Sequence, residues 1–166
     1  TRLSKLVGIF AVEVVAYAVM SNHLHSLLRI RPDVAKKWSD KEVAKRWRTL
    51  FPLRRDINGK PEEPTEEDIQ AITGNPDLVA LYRERLCNIS WFNRCLNENI
   101  ARRANIEDEC KGRFWEGRFR CQRVYDVSGI LACSAYIDLN PVRAGTAKSL
   151  KGSDHTSVQD RIYERE

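Results

Sequence analysis

The sequence predicts a mixed α and β fold in which an early β-hairpin is covered by helices. Three patterns predict it. Residues 13–20 form a nearly continuous apolar run, Ser21-Asn22 reads as a tight turn, and residues 23–31 return as a second strand. Leu78, Leu81, Leu86, Ile89, Phe92, Leu96 and Ile100 keep a helical stripe from about Pro76 to Ala104, and Val127, Ile130, Leu131, Ala135 and Leu139 keep another over 127–139. Residues 113–125 set Phe114, Phe119, Cys121 and Val124 against Arg113, Arg118, Arg120, Gln122 and Arg123, an alternation that predicts a further strand.

The remaining elements follow from local signals. Leu3, Leu6, Val7 and Phe10 share one helix face, which predicts the end of a helix over 1–11. Residues 33–74 are highly charged and read as a helical insertion at the edge of the domain. Ser39-x-x-Glu42 there has the pattern of a capping box. Trp38, Trp47 and Phe51 either anchor that insertion or face a nucleic acid, and anchoring is the commoner use of aromatics. Residues 105–112 read as a charged loop. Pro141 predicts a helix end at Asn140. Residues 146–166 read as a polar tail, with Ser153 or Asp154 able to cap a last short helix. A single domain over 1–166 is the expectation at this length.

Within the hairpin, His23 and His25 are two residues apart. Alternation along a strand puts them on one face, roughly 7 Å apart along the chain. Leu24, Leu28 and Ile30 take the other face, which suits packing against helices. A two-residue loop sets Met20 opposite His23 and Ala18 opposite His25. The small Ala16 and Ala18 then leave room for a covering helix. Two ordinary strand histidines are the competing reading of His-x-His alone.

Composition narrows the class. The 42% hydrophobic and 31% charged fractions are those of a globular chain, and no apolar segment has the length of a bilayer span. Cys87, Cys95, Cys110, Cys121 and Cys133 are odd in number and include no Cys-x-x-Cys pair. That argues against a disulfide framework or a structural zinc site, and for reduced thiols in a cytoplasmic protein. The net charge of +5 permits an anionic partner.

A second constellation lies more than a hundred residues after the histidines. Tyr136 and Asn140 are one helical turn apart and share a face. Two imidazoles and one amide oxygen form a three-ligand metal site with open positions for an oxyanion. A metal there acts as a Lewis acid on a phosphate, with the tyrosine as nucleophile. A phenol with a pKa of about 10 is a weak nucleophile at neutral pH, so such help matters. His155, in Ser153-Asp154-His155-Thr156-Ser157, reads as a structural residue beside a cap.

Tyr17-Ala18-Val19-Met20-Ser21-Asn22-His23-Leu24-His25 resembles the histidine pair of the HUH single-strand DNA nucleases. Gly112-Arg113-Phe114-Trp115-Glu116-Gly117-Arg118-Phe119 and Tyr136-Ile137-Asp138-Leu139-Asn140-Pro141-Val142-Arg143-Ala144-Gly145 resemble the IS200-type tyrosine transposases, nearest to the branch associated with repetitive extragenic palindromes. The resemblance covers roughly residues 5–31 and 86–160. It implies a ferredoxin-like α+β fold, an antiparallel sheet backed by helices. It implies that His23 and His25 bind Mg2+ or Mn2+, with Asn140 where the wider family often has glutamine as third ligand. It further implies that Tyr136 attacks single-stranded, hairpin-forming DNA to leave a 5′-phosphotyrosine and a free 3′-hydroxyl. Monomers and homodimers both occur in that family, so the reach of Tyr136 to its own or a partner's histidines stays open. The family fold has a strand and most of a helix before the histidine strand, where this chain has Thr1 to Val12. Either that start lies outside this sequence, or the sheet lacks its first strand.

With those motifs as neighbours, Lys111, Arg113, Arg118, Arg120 and Arg123, interleaved with Phe114, Trp115 and Phe119, fit a single-strand DNA groove. Arg143 is a further phosphate candidate, as are Arg102 and Arg103. A charged strand edge with inward aromatics is the competing reading. Two other function classes fit the same motifs: a DNA-binding protein without chemistry, and a metal-dependent phosphoesterase that uses activated water.

Overall fold

The computed structural model describes residues 2–164. Thr1, which opens the first expected helix, and Arg165 and Glu166, which close the expected tail, lie outside the described residues. The elements in chain order are α1 (Arg2–Ile9), β1 (Val12–Val19), β2 (Leu24–Ile30), α2 (Pro32–Ala35), α3 (Asp40–Leu50), α4 (Glu66–Thr73), α5 (Pro76–Leu86), α6 (Ile89–Glu107), α7 (Val127–Arg143) and α8 (Ser157–Tyr163). The fold is α+β, with a two-stranded antiparallel sheet backed by helices. Among the described residues no helix is long and apolar enough to cross a membrane. The chain divides into two compact units. One comprises the residues up to Val12 and Ile30–Phe119, the other Glu13–Arg29 and the described residues from Arg120 on.

The first unit is helical. Leu6, Val43, Ile72, Leu86 and Phe92 are fully buried in it. The Phe10 ring meets Phe92 edge to face, with centroids 5.4 Å apart. The 33–74 stretch supplies α3 and α4, which pack on each other and on α5. Trp47 anchors this layer: it is buried, and it stacks on Tyr82 with centroids 4.1 Å apart. Trp38 lies under the Arg46 guanidinium, 4.2 Å from its ring centre. The anchoring use of these aromatics is therefore the one observed. The Ser39 side chain accepts from the Glu42 amide, while the Glu42 carboxylate pairs with Arg46 instead of closing a capping box. The complete box is at Thr65 and Asp68. The expected helix from Pro76 to Ala104 is two helices, because Asn88 accepts from the amides of Ser90 and Trp91 and restarts the chain as α6. The apolar stripe runs unbroken across that joint, so periodicity alone does not reveal it.

The second unit carries the hairpin. The Met20 amide donates to the His23 carbonyl at 2.8 Å, so the connection is the two-residue Ser21-Asn22 loop. The face with Ala16, Ala18, Met20 and Leu27 packs against Ile137 of α7, with Val124 and Cys133 at its margin. The small residues thus admit a helix. On the opposite face, Val15, Val19 and Ile30 are exposed and Leu24 and Leu28 half-buried, while Tyr17 reaches Asp160 of α8.

Three expectations are corrected. Residues 113–125 form no strand. Every residue from Lys111 to Arg123 except Trp115 is exposed, so the alternation does not record a buried face. Gly112 at φ +120 and Gly117 also break the extended path. Pro141 does not end α7, which runs through it to Arg143. Near a helix end a proline forfeits only one backbone bond. The Pro141 carbonyl is reused by the amides of Thr146 and Ala147, at 2.9 and 3.1 Å, around Gly145 at φ +71. Finally, the polar tail is integral to the second unit. Thr156 pairs with Ala18 in an antiparallel bridge, the Val19 amide donates to the His155 carbonyl, and Thr156, not Ser153 or Asp154, caps α8. His155 has φ +58 and serves this turn, the structural role expected of it.

Candidate functional site

Hairpin register and helix packing together place three of the four expected site residues in contact. The His23 and His25 rings meet edge to face, and their Nε2 atoms converge to 3.0 Å. The Tyr136 ring stands edge to face against His25, with centroids 5.8 Å apart. It arrives there because Ile137, the next residue along α7, is pressed onto Ala16 and Ala18 of the same sheet face. This tyrosine therefore meets the histidines of its own chain. Arg143, two helical turns on, holds its guanidinium carbon 5.6 Å from the centre of the Tyr136 ring. The tyrosine is half-exposed and accessible.

Asn140 is half-buried one turn beyond Tyr136, and no hydrogen bond joins its amide to either imidazole among the described residues. No third His, Cys, Asp or Glu completes a metal-holding cluster among the described residues. The donor chemistry of the pair itself fits a divalent cation. The two converging nitrogens would be the donors, with the remaining positions left open to an oxyanion. Burial first, and the neighbouring His23 second, hold the His25 imidazole below its ordinary pKa, which favours the neutral ring that can ligate.

A network that the sequence reading missed holds α7 in place. Asp138, between Ile137 and Leu139, accepts from the Arg161 guanidinium at 2.5 Å and from the Ser157 hydroxyl at 3.4 Å. The Ser157 hydroxyl also takes the Tyr17 amide at 2.9 Å. The Tyr17 hydroxyl donates to Asp160 at 2.6 Å, and burial together with that carboxylate pushes the phenol up to about 12. An acid inside the apolar run of α7 is the one sequence signal that pointed to such a partner. A second missed contact is between Asn22 and His23, whose Asn22 Oδ1 and His23 Nδ1 are 2.6 Å apart.

The expected DNA contacts divide by environment. In the first unit, Trp115 donates its indole N–H to the Asn97 carbonyl at 2.9 Å, so it is an anchor on α6 rather than a free stacking platform. Phe114 and Phe119 stay exposed, as do Lys111, Arg113 and Arg118. In the second unit, Arg120, Arg123 and Arg143 are exposed. None of these six cations takes part in an ion pair among the described residues. Arg102 and Arg103, by contrast, are paired along α6 with Glu98 and Glu107. All five cysteines are free thiols. No protein-family model matches the chain, and no curated protein or solved structure does either.

Proposed function

We propose that the chain is a metal-dependent enzyme of single-stranded DNA that nicks and rejoins it in the manner of the HUH tyrosine transposases. The observation that carries the reading is the contact of the Tyr136 ring with a histidine whose Nε2 converges with that of a second histidine. His23 and His25 are the residues that would hold Mg2+ or Mn2+, with the Asn140 amide oxygen as a further candidate ligand from α7. When bound, the cation supplies Lewis-acid neutralisation of the phosphoryl oxygens. Tyr136 Oη attacks phosphorus while the bond from phosphorus to the 3′ oxygen breaks. The phenolic proton passes to solvent, and the departing 3′ oxygen takes one up. The products are a 5′-phosphotyrosine and a free 3′-hydroxyl, and attack by a new 3′-hydroxyl reverses the step without ATP. Arg143 lies beside the phenol, where its charge favours the approach of a phosphate. The exposed, unpaired arginines of 113–123 suit the phosphates of a DNA backbone.

The test uses a 3′-labelled hairpin oligonucleotide with Mn2+ and a denaturing gel. The wild-type chain is expected to give a slow protein–DNA band, and Tyr136→Phe to lose that band while still binding DNA. Cleavage without any covalent band, retained in Tyr136→Phe, would instead assign the chemistry to activated water. A chain that binds DNA but cuts nothing would leave only a binding module.

A further inference from the structure

We infer that Asn22 is a positioning residue: its side-chain oxygen fixes the tautomer of His23 so that Nε2 presents a lone pair to a metal ion. The inference rests on the metal reading proposed above and adds to it the group that prepares one ligand. A neutral imidazole carries a single N–H, and free histidine favours having it on Nε2, the wrong nitrogen for ligation through Nε2. Asn22 Oδ1 is 2.6 Å from His23 Nδ1 and can only accept, so the proton sits on Nδ1 and Nε2 is bare. The bare nitrogen is the one 3.0 Å from His25 Nε2. In the metal-free chain, His25 therefore donates its Nε2–H to His23. Uptake of a cation then requires His25 alone to relocate a proton, while His23 is already set.

The backbone gives no competing reason for an asparagine here. Asparagine in a two-residue hairpin loop commonly serves a positive φ. Neither Ser21 nor Asn22 has one, since Glu109 and His155 are the only non-glycine residues at positive φ among those described. Asn22 is also exposed, so its replacement leaves no hole in the core.

The experiment has two readouts on the full chain. Imidazole 15N shifts of the metal-free protein report the tautomer. His23 is expected protonated at Nδ1 in the wild type and shifted towards Nε2–H in Asn22→Leu. A wild-type His23 protonated at Nε2, or an unchanged spectrum in Asn22→Leu, overturns the inference. Calorimetric titration with Mn2+ alone is the second. Asn22→Leu is expected to bind about 10–100-fold more weakly, and Asn22→Asp, which keeps an acceptor, to recover most of that loss. Equal Mn2+ affinity in wild type and Asn22→Leu overturns the role of Asn22 only. A wild-type chain that takes up no Mn2+ overturns the metal reading itself.

Discussion

Adjacent residues of α7 are expected to separate stability from chemistry. Ile137 is 3% exposed and wedges α7 onto Ala16 and Ala18, whereas Tyr136 is 48% exposed. Ile137→Ala removes three buried carbons, about 2.4 kcal/mol at about 0.8 kcal/mol each. The incomplete collapse of the hole brings the expected loss to about 3–4 kcal/mol. Tyr136→Phe removes a hydroxyl that makes no hydrogen bond among the described residues, so its cost should lie within about 0.5 kcal/mol. Urea unfolding followed by amide hydrogen exchange of the hairpin and α7 measures both, and the covalent-adduct gel measures the chemistry. Ile137→Ala should lower the unfolding midpoint and retain some adduct under conditions where it is folded. Tyr136→Phe should leave the midpoint in place and give no adduct. If Tyr136→Phe loses more than about 1 kcal/mol, the ring is a packing residue and the argument from its exposure fails. If Ile137→Ala is neutral, α7 is not held to the hairpin as described.

Three further outcomes follow from the same contacts. Tyr17 titrates near 12 in the fold, above its ordinary 10, so its contribution is complete below about pH 10 and is lost as pH rises towards 12. The displacement is worth about 2.7 kcal/mol unscreened and about 1 kcal/mol after solvent screening; unfolding at pH 9 and pH 11.5 should show that loss in the wild type and not in Tyr17→Phe. Arg161→Ala strands the poorly exposed Asp138 carboxylate and should cost about 1–3 kcal/mol, part of which the added change Asp138→Asn restores; equal midpoints for the two would discount the ion pair. Each of Arg118→Ala, Arg120→Ala and Arg123→Ala that removes a phosphate contact should flatten the salt dependence of hairpin-oligonucleotide binding by about 0.7 in slope. An anisotropy series in NaCl with unchanged slopes would take those residues off the DNA.

The parts legible in the sequence are those governed by neighbours in the chain. The hairpin, its two-residue loop, the shared face of His23 and His25 and the need for a covering helix all follow from alternation and side-chain size. Tyr136 on a late helix follows from periodicity. The arrangement beyond that depends on partners that local rules cannot name. The stretch 113–125 has strand-like alternation, yet a strand forms only where another offers its N–H and C=O groups, and none among the described residues does so. Pro141 breaks a helix in isolation, but carbonyl contacts to Thr146 and Ala147 absorb the break. The tail looked polar because its buried members are Ser153, Thr156 and Ser157, which satisfy backbone groups rather than bury carbon.

That last point bears on how the site is held. An apolar clamp fixes the distance between two elements but leaves rotation of a helix about its axis weakly determined. Directional bonds remove that freedom. Asp138, next but one to Tyr136 on α7, is tied to Arg161 and Ser157, and Ser157 is tied in turn to the Tyr17 backbone of β1. Ile137 sets how close α7 comes to the hairpin, and Asp138 sets which side of it faces His25. The segment after Pro141, thinly apolar and distant in sequence from the histidines, is thereby part of what aims the phenol at them. A polar chain end that spends its hydroxyls and carboxylates on one strand and one helix is what a site built from contacts more than a hundred residues apart requires.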